Sequence, residues 1–149
     1  MAKQAKPKAA GTRQTLVEYD QELPFCMADR KRLHRCFGNI AFNAIQAMPS
    51  GGDLTVRTAQ VSTMVFRNSG VAEPQPEPAI RVTISDTGRG IPADHLSRIF
   101  DPFFTTKDKG MGLGMAITHR IVEDHKGTID AHSEEGVGTT FTVHLPLSA

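Results

Sequence analysis

The chain has 149 residues, 39% of them hydrophobic and 22% charged, with a formal net charge of +1. That length carries one domain with a usable core. The near-neutral charge gives no basic field for nucleic acid, and no apolar run approaches the roughly 18 residues of a membrane span.

In chain order, residues 1–11 contain lysines without an apolar core after them, so they do not read as a secretory signal. They are expected to be a disordered tail or linker, leaving residues 12–149 as the domain. The whole is expected to be soluble and cytoplasmic, and compatible with a membrane-anchored parent protein. Residues 12–19 read as a strand, and residues 23–27 as a brief second strand that Pro24 marks as an edge. Asp29 has the chemistry of a helix N-cap. The helix after it runs to about Met48, where Pro49-Ser-Gly-Gly52 stops it. Its apolar positions Leu33, Phe37, Ile40, Ala44 and Met48 recur at helical spacing.

Residues 54–66 alternate as a strand. Residues 67–79 form a proline-rich connection whose prolines are not expected in a central strand. Residues 80–85 read as a strand ending at Asp86, and a short helix follows Pro92 near residues 94–99. A long helix is expected over 112–125 with Gly127 as its terminator. Residues 129–133 and 139–145 close as a hairpin around Gly136-Val-Gly138. Strands and helices do not alternate strictly. The expected fold is therefore an α/β (α+β) two-layer sandwich, with a mixed, mainly antiparallel sheet covered on one face by helices. Cys26 and Cys36 stand ten residues apart with no further partners, which is no zinc spacing. They read as reduced, packed thiols.

Three segments carry chemistry. Asn39 and Asn43 lie four apart, on the same face of one helix. The plain alternative is the wet side of a helix, but solvated faces prefer Lys and Glu, and asparagine is a mediocre helix former. An amide oxygen also suits a hard cation such as magnesium, completed by phosphates and water. Asp86, at a strand end before Thr87-Gly-Arg-Gly90, can accept from an exocyclic amine such as that of adenine; the plain alternative is an Asp-Gly turn. Gly110, Gly112 and Gly114 precede an apolar helix, where backbone N–H groups and the helix N-terminus favour an anion. The alternative there is a flexible loop. The segment is neither a Walker A sequence nor a dinucleotide fingerprint, and no eukaryotic-type kinase signature is present.

Together and in this order, these segments resemble the Bergerat-type nucleotide fold of histidine kinases, type II topoisomerases, MutL-type repair proteins and heat-shock chaperones. The match to the catalytic domain of bacterial sensor histidine kinases covers roughly residues 12–147. Asn39-Ile-Ala-Phe-Asn-Ala-Ile-Gln-Ala-Met48 resembles the asparagine box, and Asp86-Thr-Gly-Arg-Gly-Ile-Pro92 the first glycine box. Ile99-Phe-Asp-Pro-Phe-Phe104 resembles the phenylalanine box, and Gly110 to Gly114 the second glycine box. The wording Asn-Ala-Ile-Gln-Ala-Met and Phe-Phe-Thr-Thr-Lys is similar to the nitrogen-regulation subgroup.

The resemblance implies the following roles. Asn43 holds Mg2+ against the triphosphate of ATP. Asp86 bonds the adenine amine, Gly88 is one of the nucleotide-binding residues, Gly90 shapes the pocket and Thr139 supports the base. Thr105, Thr106 and Lys107 border a lid, and Gly110, Gly112, Leu113 and Gly114 contact the phosphates. Asn39, Asn43 and Lys107 are the catalytic set, and Phe100, Phe103 and Phe104 are apolar hinges of the lid. Three positions depart from the family: Met111, where a small residue is usual, Gln46, where a lysine or arginine is frequent, and Lys126, where a glycine is frequent. Lys107 or Lys109 is then expected to supply the phosphate's charge partner.

Hydrolases of this superfamily carry a glutamate four residues before the metal asparagine. Here that residue is Asn39, which cannot take a proton. The resemblance therefore implies a kinase, since phosphoryl transfer needs mainly positioning and charge neutralisation. None of the six histidines, His34, His95, His119, His125, His132 and His144, sits in a His-Glu/Asp-x-x-x-Pro setting. The expected partner is a separate histidine-bearing dimerisation domain and, through it, a response regulator. The alternatives are a regulatory nucleotide-binding module with little turnover, and an anti-sigma-type serine kinase of the same fold.

Overall fold

A computed structural model describes residues 13–65, 73–105 and 112–147. Its elements, in order, are β1 (Arg13–Glu18), α1 (Arg30–Gln46), β2 (Gly52–Val65), β3 (Gln75–Asp86), α2 (Ala93–Leu96), α3 (Gly114–Asp124), β4 (Thr128–Glu134) and β5 (Gly138–Pro146). The strands form one five-stranded sheet in the order β1-β2-β3-β5-β4. β1 pairs parallel to β2, and every other pair is antiparallel. The expected mixed, mainly antiparallel sheet is therefore the one found.

The two-residue strand period decides which face is covered. Ile80, Val82 and Ile84 of β3 lie opposite Leu145, Val143 and Phe141 of β5, and all six are buried. Their neighbours Arg81, Thr83 and Ser85 lie opposite His144, Thr142 and Thr140, which puts polar groups on the other face. The apolar face meets the helices. α1 presents Cys36, Ile40 and Ala44 to it at four-residue steps, and α3 presents Thr118, Ile121 and Val122. Each fully buried aliphatic side chain contributes about 1.5–3 kcal/mol, so this single layer of contacts supplies most of what joins helix to sheet. Cys26 and Cys36 are free thiols, and burial pushes the Cys36 thiol up to about 11, so it stays protonated at neutral pH.

Asp29 caps α1 by accepting the Arg32 N–H at 3.1 Å. α1 and α3 run antiparallel. The start of α1 meets the end of α3 through the Arg32–Asp124 ion pair, and Asn39 donates to Gly114 O at 3.2 Å. Both ring nitrogens of His125 hold this junction: Nε2 accepts the Asp29 N–H at 3.0 Å, and Nδ1 lies 2.7 Å from Ile121 O.

Three expectations are corrected. Residues 23–27 are not a strand. A parallel pair such as β1–β2 needs a crossover helix between its strands, and the segment from Glu18 to Arg30 climbs from the sheet into that helix. Leu23 and Cys26 pack on the core while Phe25 and Met27 are exposed, which is not a strand period. The second correction concerns the prolines. β3 begins at Gln75 and takes in Pro76 and Pro78, paired with Met64 and Ser62 of β2. Pro78 O accepts the Leu147 N–H at 3.1 Å, so its polar edge faces away from β2. The missing proline donors therefore remove nothing from the β2–β3 ladder, and β5 pairing ends at Ala79–Pro146. The helix after Pro92 is also shorter than expected, because residues 97–100 continue as turns. Residues 1–11, Phe66, and residues 67–72 of the proline-rich connection lie outside the described residues. No described helix is long and apolar enough to cross a membrane.

Candidate nucleotide site

A cavity of about 790 Å³ opens between α1, the turn after β3, α2 and the start of α3. Asn39, Asn43, Asp86, Gly90, Thr105, Gly112, Leu113, Gly114 and Thr139 all line it. Residues 75 positions apart in sequence thus share one wall. Thr106, Lys107, Lys109, Gly110 and Met111 lie outside the described residues.

Asp86 is 8% exposed at the end of β3. Burial pushes its carboxyl above the usual range, and backbone donors from Gly88 and Thr139 pull the other way. The Gly88 N–H reaches Asp86 Oδ1 at 2.8 Å. Gly88 itself does not line the cavity; it is packed on the Ala47 backbone and acts by aiming the carboxylate. A buried carboxylate with room beside it is an acceptor waiting for a donor. Thr139, 3% exposed and beside Asp86 in the β3–β5 register, lies 2.8 Å by its hydroxyl from Ser133 Oγ. Gly90 has φ +74°, and a Cβ there would sit 2.3 Å from Glu134 O. Only glycine lets the turn lie this close to the β4–β5 hairpin.

At the other end, Leu113 stands at the N-cap of α3 with no side-chain cap, so the first-turn N–H groups are not occupied by a capping side chain. Gly112 has φ +69°, and its carbonyl accepts the Phe103 N–H at 2.9 Å. The two ends of the segment between Phe103 and Gly112 are therefore tied together at the cavity mouth. Phe100 and Phe104 pack on the core while Phe103 is exposed, so the expected trio of hinges divides into two anchors and one surface ring.

Asn39 Nδ2 donates to Gly114 O at 3.2 Å and to Thr118 Oγ1 at 3.3 Å, and the Thr118 hydroxyl itself donates to Gly114 O at 2.8 Å. Asn39 thus clamps α1 to the start of α3 and presents no base to the cavity. Gln46 is exposed and does not line the cavity. Of the six histidines only His95 lines it, against Phe104 with ring centroids 5.4 Å apart. Sequence reasoning missed Arg35, Arg89 and His95 as lining residues. For Arg35 the spacing to Asn39 and Asn43 held the signal, since 35, 39 and 43 recur at four-residue steps.

A two-layer sandwich with a cavity between a buried carboxylate and an uncapped helix start defines a nucleotide-binding protein. Residues 28–149 match the family described as Histidine kinase-, DNA gyrase B-, and HSP90-like ATPase, and the chain belongs to that family. It is 41% identical over 126 residues to sensor histidine kinase ZraS of Escherichia coli (strain K12), covering 85% of this chain and 24% of that protein. It is 38% identical over 137 residues to sensor kinase CckA of Brucella abortus (strain 2308), covering 87% of this chain and 14% of that protein. The chain therefore spans about a quarter or less of these two relatives. Among solved structures, it resembles the catalytic domain of histidine kinase ThkA with a TM-score of 0.69 and 31% identity, covering 91% and 79% of the two chains. Full-length ShkA in complex with AMPPNP matches with a TM-score of 0.67 and 26% identity, covering 91% of this chain and 26% of that one.

Proposed function

We propose that this chain binds Mg-ATP and donates the γ-phosphoryl group to a histidine on a separate dimerisation domain, from which a response regulator is served. The observation that carries the kinase reading is Asn39. At the place where a hydrolase needs a base to activate water, the side chain is an amide whose N–H groups are spent on Gly114 and Thr118. With no base there, the bound nucleotide waits for a nucleophile that needs little activation, and a neutral imidazole is one.

In this reading residues 12–149 form the catalytic unit and residues 1–11 a tail or linker. Asp86 accepts the adenine amine, Thr139 supports the base, and Gly88 and Gly90 shape the turn. Gly110, Gly112, Leu113 and Gly114 offer backbone donors to the phosphates. Thr105, Thr106 and Lys107 border the cover, with Lys107 a charge partner. The residues fit a magnesium ion through the chemistry of the donor set: Asn43 brings an amide oxygen to the wall shared with the phosphate donors. Bound there, the metal supplies charge neutralisation to the phosphates. The chain's own contribution is to orient the triphosphate along α1 and to keep a proton acceptor away from it. His125 is an unsuitable internal acceptor, since both ring nitrogens are engaged. A reaction that consumes ATP is the reason for assigning this domain to the cytoplasm in this reading.

The test mixes the chain with a separate dimerisation-helix fragment, Mg2+ and γ-labelled ATP. The expected result is label on the helix fragment that is lost in acid and kept in base. ATP binding without transfer supports the regulatory-module reading instead, and acid-stable label on a protein target supports a serine kinase.

A further inference from the structure

We infer that Arg35 is the γ-phosphate ligand of this site, standing in for the cation that Gln46 does not provide; the inference rests on the Mg-ATP reading above. The α1 wall orders the cavity from end to end. Ala47 O accepts the Arg89 N–H at 3.0 Å, which fixes the C-terminal end of α1 beside the Asp86 turn and hence the base. Asn43 comes one turn earlier. Asn39 follows, in contact with Gly114 at the start of α3. Arg35 lies four residues further along, about 6 Å beyond Asn39, and it lines the same cavity. A nucleotide laid with its base on Asp86 and its inner phosphates at the α3 glycines points its last phosphate towards Arg35.

The charges agree with this order. Asp86 and Glu135 give the cavity wall two carboxylates. The described arginines of the wall are Arg35 and Arg89, and Arg89 belongs to the turn at the base end. Several other guanidinium groups have work elsewhere: Arg32 pairs with Asp124, Arg57 with Glu18, Arg98 with Asp101 and Phe104, and Arg120 with Asp124. Among the described residues, no carboxylate pairs with Arg35. It is exposed on the helix face that carries Asn39 and Asn43. A guanidinium presents a planar fork that takes two phosphate oxygens at once. At this place it contacts the group being transferred and not the part of the nucleotide shared with ADP.

The experiment compares ATP and ADP affinities, both with Mg2+, for the unmodified chain, Arg35→Gln and Arg35→Lys. Charge-assisted hydrogen bonds of this kind are worth about 1.5–3 kcal/mol, so Arg35→Gln is expected to weaken ATP at least about tenfold while ADP changes less than about twofold. Arg35→Lys is expected to recover part of the ATP affinity, because it keeps the charge and loses the fork. Transfer to the dimerisation fragment should fall with the ATP term. ADP binding also reports that each variant is folded. Equal losses for ATP and ADP, or no loss for either, overturn the assignment. If the unmodified chain binds neither nucleotide, the Mg-ATP reading itself fails, and that outcome is distinguishable from the other two.

Discussion

Asp86→Asn lowers ATP affinity by about ten- to a hundredfold, the range expected for losing a charge-assisted hydrogen bond, and removes most of the preference for adenine over guanine. The carboxylate offers acceptors only, whereas an amide offers one acceptor and one donor group and can satisfy either base edge. The same substitution does not weaken the empty fold. Burial raises the Asp86 carboxyl above its ordinary value, so the native state holds this proton more tightly than the unfolded chain does. Stability from this site is greatest below the unfolded-state pKa of about 3.9. It falls as pH rises through that value towards the folded one, and the loss persists at neutral pH. Asparagine has no such titration, and its Oδ1 can still accept the Gly88 N–H. The Tm of the variant, minus that of the unmodified apo chain, should therefore grow as pH is raised across the carboxylate range. Unchanged ATP-to-GTP discrimination refutes the role assigned to Asp86.

The second large effect belongs to Asn43. Asn43→Ala should reduce phosphotransfer to the dimerisation fragment at least about a hundredfold, in line with the cost of removing one preorganised electrostatic group. The loss should be specific to the metal-bearing substrate. The apparent Mg2+ requirement for ATP binding rises, while ADP binding in excess chelator changes little. An equal loss with and without metal would mean that Asn43 shapes the cavity rather than holding the ion.

These effects trace to features of unequal legibility in the sequence. The α1 stripe was readable because a helix period of 3.6 places Asn39 and Asn43 on one face whatever the helix packs against. The α3 start was readable because glycines followed at once by Leu113, Met115, Ala116 and Ile117 announce a helix N-terminus. Pro76 and Pro78 misled because a proline's missing donor matters only on the side where a partner strand stands, and strand order is not local information. Residues 23–27 misled because the parallel β1–β2 pair, set by contacts 39 residues apart, demanded a crossover there. Arg35 was invisible as a ligand for a related reason. Its spacing was plain, but its meaning depends on α3 lying antiparallel to α1, which the Asn39–Gly114 and Arg32–Asp124 contacts establish. The place of Gly88 was half legible: the turn could be read, but its position behind Asp86 comes from its packing on Ala47.

The cavity has a carboxylate end, an amide middle and an uncapped helix start, an order that fits one adenine nucleotide. Titration calorimetry of the folded chain with ATP and with GTP, each with Mg2+, tests this most directly. The expected result is saturable binding of one ATP per chain and much weaker binding of GTP. No heat with ATP from folded protein, or a preference for GTP, contradicts it.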